Sequence, residues 1–122
     1  MNVVDYKKLS AKTASYAMTA LDLGTVFTNR GAGAAITFTL PPTADIQIGW
    51  WARVNIAANQ SVTVAAETAD TLNAFNDIAA DSIAFSTSNE KVGAGVEFVW
   101  DGTGWLTFVS LGMDSQTPTI AT

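Results

Sequence analysis

The sequence predicts an all-β protein, a compact β-sandwich, jelly-roll-like or small-barrel domain. Three observations carry that expectation. Apolar and polar residues alternate with a period of two at several places along the 122 residues. Thr, Val, Ile and aromatic residues fill those stretches, and they suit a pleated, half-buried surface. Turn residues separate the stretches at short intervals, as in small two-layer β folds. Hydrophobic residues make up 48% of the chain and charged residues only 14%. That is enough apolar material for one packed core and too much for intrinsic disorder.

The elements follow in order. Tyr16 to Ala20 and Thr25 to Thr28 are short candidates rich in strand-forming residues. Ile36, Phe38 and Leu40 alternate with Thr37 and Thr39 until Pro41-Pro42 stops the strand. Ala52, Val54 and Ile56 alternate with Arg53 and Asn55. After a turn at Asn59-Gln60, Val62 and Val64 alternate with Ser61 and Thr63. In Glu67 to Asp81 the alanines permit a helical turn, whereas Asn73, Asn76 and Asp77 favour loop. Ser82 to Phe85 is a further short candidate, which brings the expectation to seven to nine strands.

The terminal hairpin is the best specified element. Asp101-Gly102-Thr103-Gly104 is a turn sequence between two β runs, Val96–Trp100 and Trp105–Val109. It sets Trp100 opposite Trp105. Val96, Phe98 and Trp100 then share a face with Trp105, Thr107 and Val109, while Val99, Leu106 and Phe108 lie on the other with Glu97 as its only charge. A hairpin of a lone sandwich normally shows one polar face. This one is apolar on both, so either other segments of the chain cover it or a second subunit does; the second subunit is the reading adopted. Trp50-Trp51 must point to opposite faces of a strand, so one of the two faces outward or into an interface. Trp51 therefore joins Val99, Leu106 and Phe108 as expected subunit-interface residues.

Charge and composition narrow the function. Six Lys and Arg oppose eleven Asp and Glu, for a net charge of −5, a poor balance for holding nucleic acid by its phosphates. The chain has neither His nor Cys, so Ser-His, Cys-His and ordinary zinc-hydrolase chemistry are closed to it. No apolar run reaches the length of a membrane span, and the first residues lack the apolar stretch of a signal peptide. Synthesis in a cytoplasm is expected. Residues 1–13 hold Lys7, Lys8 and Lys12 against Asp5, a basic leader ahead of an acidic body. The division expected is an N-terminal arm over 1–13, a β domain over 14–112 and a C-terminal tail over 113–122.

Motifs for chemistry are sparse. Gly31-Ala32-Gly33 and Gly93-Ala94-Gly95 lack the third glycine of a nucleotide loop, and each leads into a strand. Glu67, Asp70, Asp77 and Asp81 cluster in sequence, but acidic loops of acidic proteins are usually just solvated, and no EF-hand spacing is present. No catalytic residue, metal ligand or cofactor is expected.

A resemblance enters on the strand and turn segments. Asp22-Leu23-Gly24-Thr25-Val26-Phe27-Thr28-Asn29, Ile36-Thr37-Phe38-Thr39-Leu40-Pro41, Gln60-Ser61-Val62-Thr63-Val64, Asp70-Thr71-Leu72-Asn73 and the run from Val96 to Trp105 carry it. Together they resemble small structural proteins of tailed bacteriophages, namely head decoration (cement) proteins and modules of tail fibres and tailspikes. A chain starting at Met1 with one compact domain resembles the cement proteins more. That resemblance implies a non-enzymatic protein on the outside of the virion that binds the major capsid protein of an expanded head and stabilises it, commonly as a homotrimer. It also implies a contact arm, to which Val3, Val4, Tyr6, Lys7, Lys8 and Lys12 are assigned by their strand-favouring and basic character. The rival expectation is a receptor- or carbohydrate-binding module with an exposed Trp51.

Overall fold

Successive strands of the first half of the chain alternate between two sheets. A computed structural model describes residues 6–88, 91–113 and 116–122. The strands β1 (Lys8–Ala11), β3 (Thr25–Thr28) and β5 (Trp51–Asn55) belong to one sheet. β2 (Tyr16–Ala17), β4 (Ile36–Thr39) and β6 (Val62–Ala65) belong to the other. Within each sheet these neighbours are parallel, because each connection crosses to the opposite layer before returning.

The second half reverses direction. β7 (Leu72–Ala74) and β8 (Asp77–Ala80) form a hairpin, β9 (Ser82–Phe85) crosses to the second sheet, and β10 (Gly95–Trp100) and β11 (Trp105–Ser110) return to the first. β12 (Thr119–Ala121) closes on β9. The first sheet has seven strands in the order β1-β3-β5-β10-β11-β7-β8; the second has five, β12-β9-β6-β4-β2. The protein is thus nearly all β, as the alternation predicts, and its two mixed sheets pack face to face.

The core lies between the layers. Phe27, Val54, Val96 and Phe98 from the first sheet meet Phe38, Val62, Val64 and Ile83 from the second, all fully buried. Tyr16, Phe27 and Phe38 interleave across the gap, with ring centroids 5.4 and 5.6 Å apart, near the optimum for tilted aromatic pairs. At the turn end, Trp105 is flanked by Trp100 at 5.5 Å and by the edge of Trp50 at 5.8 Å. Buried Asn29 ties two crossovers together: its Oδ1 accepts from the N–H groups of Ala57 and Ala58, both at 2.8 Å, and its Nδ2 donates to the Ala58 carbonyl.

Three expectations are corrected. Residues 67–81 contain strands β7 and β8, joined at Phe75-Asn76 with φ of 47° and 68°. That left-handed pair is the geometry of a tight hairpin turn, which Asn76 suits and an aromatic seldom occupies. The strand from Tyr16 stops at Ala17, because Thr19 caps a 3-10 turn over Ala20–Asp22: its hydroxyl accepts from Leu21 N–H while Asp22 accepts from Thr19 N–H. The separation into arm, body and tail also shifts. Residues 8–11 of the expected arm are an edge strand of the first sheet, and residues 119–121 of the expected tail are an edge strand of the second.

Candidate interaction face

The outer face of the seven-stranded sheet carries the residues singled out by the hairpin argument. The register places Trp100 opposite Trp105, Val99 opposite Leu106 and Glu97 opposite Phe108. Asp101 builds the turn between them: its Oδ1 accepts from the N–H groups of Thr103 and Gly104, both at 2.8 Å, and Gly102 takes a φ of 96°. The Gly104 N–H and then the Thr103 N–H hold the Asp101 carboxyl below its ordinary value.

β5 on the other side of β10 extends the pattern. Trp51 pairs with Val99 and Arg53 with Glu97. Trp51, Val99 and Leu106 therefore form one cross-strand row, half-buried by their own neighbours. The next row runs Leu9, Val26, Arg53, Glu97, Phe108 across five strands. Phe108 is 54% exposed and Leu9 70% exposed. The third row, Thr28, Asn55, Gly95 and Ser110, is polar. Arg53 bridges the last two: its Nε donates to Asn55 Oδ1 at 2.6 Å and its Nη2 to Ser110 Oγ at 3.0 Å. The face is therefore apolar toward the turn end and polar toward the other.

Trp50 and Trp51 do point to opposite faces. Trp50 is buried, with its Nε1 donating to the Ala20 carbonyl at 3.1 Å, and Trp51 lies on the outer face against Gly24.

The basic leader lies at the β1 edge of the same face. Tyr6, Lys7 and Lys8 with Leu23, Gly24 and Trp51 line a shallow hollow of about 300 Å³. Two of the lysines are engaged within the subunit. Lys8 Nζ donates to the Leu21 carbonyl at 3.2 Å, and Lys12 Nζ stands 3.9 Å over the Tyr16 ring. Val3 and Val4, also assigned to the arm, lie outside the described residues. Sequence reasoning missed a second apolar surface at the opposite edge of the sheet, where Phe75, Ile78 and Leu111 are exposed.

Of the clustered carboxylates, Glu67 and Asp81 line one hollow of about 340 Å³. Asp70 accepts from the Thr43 hydroxyl, and Asp77 accepts from Thr122 Oγ1 and from Ala79 N–H. Among the described residues no three metal-ligating side chains converge. No described helix is long and apolar enough to cross a membrane. No family model matches the chain, and no curated protein matches it.

Proposed function

We propose that this chain is a non-enzymatic structural protein that works as a homo-oligomer, a trimer, and decorates the outside of a tailed-bacteriophage head. The observation that carries the assembly is the apolar end of the outer sheet face, where Trp51, Val99, Leu106 and Phe108 meet in two adjacent rows. An open sheet face of a lone domain is normally polar, and contiguous apolar patches of this kind mark contact surfaces. The head as the site of action rests on the resemblance of the strand and turn segments to cement proteins. Such a protein needs a rigid unit and a seam between copies, and it needs no nucleophile, metal or cofactor. Binding through several copies at once multiplies a modest single contact with the major capsid protein. The residues ahead of β1, with Tyr6 and Lys7 fully on the surface, are the part assigned to that contact.

Co-sedimentation with empty expanded capsids tests the reading. Saturable binding in the pellet supports it. Absence of capsid binding together with retention on a glycan array would replace it with the receptor-binding module.

A further inference from the structure

One stretch of sheet edge lacks the protection that the others carry. β1, β8, β2 and β12 are the outermost strands of the two sheets. β1 begins at Lys8 and is followed by Lys12, β8 opens on Asp77 and pairs irregularly with β7, β2 has only two residues, and β12 follows Pro118. Charge, irregular pairing, shortness and proline are the devices that keep strand edges from pairing further. A fifth edge lies inside the first sheet. β7 covers β11 only at Trp105 and Leu106, so Thr107 to Ser110 have no strand partner on that side among the described residues. The stretch from Thr107 to Leu111 holds no charge, proline or glycine.

The register fixes which main-chain groups this stretch offers. Trp105 N–H donates to the Thr71 carbonyl at 2.9 Å, away from β10. With a period of two, Thr107 and Val109 aim their main-chain groups to the same side, while Leu106, Phe108 and Ser110 face Val99, Glu97 and Gly95 of β10. Thr107 Oγ1 donates to the Asn73 carbonyl at 2.6 Å where the pairing with β7 ends. Beyond that point the Val109 N–H and C=O have no backbone partner among the described residues. They open into a groove of about 460 Å³ between β11 and the β7–β8 hairpin. Phe75, Ile78 and Leu111 give it apolar walls, Ile78 being 81% exposed, and Asp77 is its only charge.

We infer that this stretch receives an extended segment of the major capsid protein, which adds as a strand to β11 on the side away from β10. The main chain of that segment bonds to Val109, and its side chains on one face pack on Phe75, Ile78 and Leu111. An unpaired main-chain edge between apolar walls selects a polypeptide strand over a sugar or a lipid, because a strand returns N–H and C=O groups at the same spacing. A second copy is not the donor. Its outermost strands are blunted as described, and β11 against β11 makes a two-fold dimer, not a ring of three. This contact rests on the capsid-decoration reading and lies across the sheet from the leader at β1.

Co-sedimentation with empty expanded capsids, combined with amide hydrogen exchange, tests the strand addition. Val109→Pro deletes the outward N–H and leaves the bonds of β11 to β10 in place, a position where a strand tolerates proline. It is expected to weaken capsid binding about tenfold, whereas Val109→Thr, which keeps the N–H, binds within about twofold of wild type. Ile78→Asp, on an exposed wall of the groove, is expected to weaken binding by a similar factor with an unchanged melting temperature. On wild-type complexes, exchange at the Val109 amide slows about tenfold or more, while that of Phe108, already paired with β10, changes little. If Val109→Pro does not fold, the exchange measurement and Ile78→Asp decide alone. Unchanged Val109 exchange on the capsid, or capsid binding by Val109→Pro or Ile78→Asp equal to wild type, overturns the inference and leaves the decoration reading standing. A loss with Val109→Thr as large as with Val109→Pro assigns the contact to the side chain and overturns it too. A wild type that binds no capsid removes both.

Discussion

The guanidinium of Arg53 lies across Gly95, and only a glycine leaves room for it. A methyl group at position 95 would stand 2.9 Å from Arg53 Nη2 and 2.7 Å from Asn55 Nδ2. The side chain is held there by its bonds to Asn55 and Ser110, so it cannot yield without losing them. Gly95→Ala is expected to cost about 1–3 kcal/mol, the range for overpacking. Combining it with Arg53→Ala should recover part of that cost. Denaturant unfolding of the two single variants and the double variant checks this through their non-additivity.

The two buried indoles at the turn end should respond differently to loss of their N–H. Trp50 Nε1 donates to the Ala20 carbonyl, whereas Trp105 Nε1 is buried with no hydrogen-bond partner among the described residues. Trp50→Phe removes a bond and leaves an acceptor behind; Trp105→Phe removes an orphaned donor. Trp50→Phe is therefore expected to be the more destabilising of the two by about 1 kcal/mol. Trp105→Ala, which also opens a cavity, should cost about 3–5 kcal/mol. Thermal unfolding of the three variants provides the comparison.

The terminal turn gives a pH signature. The folded state lowers the Asp101 carboxyl below 3.8 by hydrogen bonds to its charged form. Its contribution is then present in full above the ordinary carboxylate value and is lost as pH falls through the lowered one. Asp101→Asn keeps an acceptor oxygen but cannot titrate. The melting temperature of this variant should fall less than that of wild type between neutral pH and pH ~2. Equal slopes would show that the turn does not distinguish the ionised form.

Much of this was legible in the sequence, and the part that was not has a definite cause. The hairpin register was fixed by turn chemistry at Asp101-Gly102 and by the period of two on either side, and Trp100 does stand opposite Trp105. The opposite facing of Trp50 and Trp51 follows from strand geometry alone. Parallel neighbours such as Val26 and Arg53 are 27 positions apart and share no turn, so no local pattern announces them. Strand β7 has three residues, and Phe75 occupies a backbone conformation that its side chain does not favour. That segment therefore reads as loop, and the exposed apolar surface of Phe75, Ile78 and Leu111 beside it stays hidden. In β1, the lysines suggest a solvated leader, whereas the main chain of Leu9 to Ala11 pairs with β3.

Truncation separates the two parts of the leader. Removing residues 1–7 leaves β1 intact, so the melting temperature should hold within about 2 °C while capsid binding falls sharply. Removing residues 1–12 deletes the strand paired with β3 and the Lys12 contact on Tyr16. That deletion is expected to lower the melting temperature by about 5 °C or more. Calorimetry on both truncations, alongside capsid co-sedimentation, checks the distinction.

The central claim is that the apolar end of the outer sheet face joins identical copies, and the mass of the native assembly tests it most directly. Sedimentation velocity on the wild-type chain at micromolar concentration is predicted to give a single species of three chains. Phe108→Asp, which places a charge beside Glu97 in the middle of that seam, is predicted to shift it to the single chain. A wild-type protein that sediments as a monomer, or a Phe108→Asp variant that remains a trimer, would contradict the account.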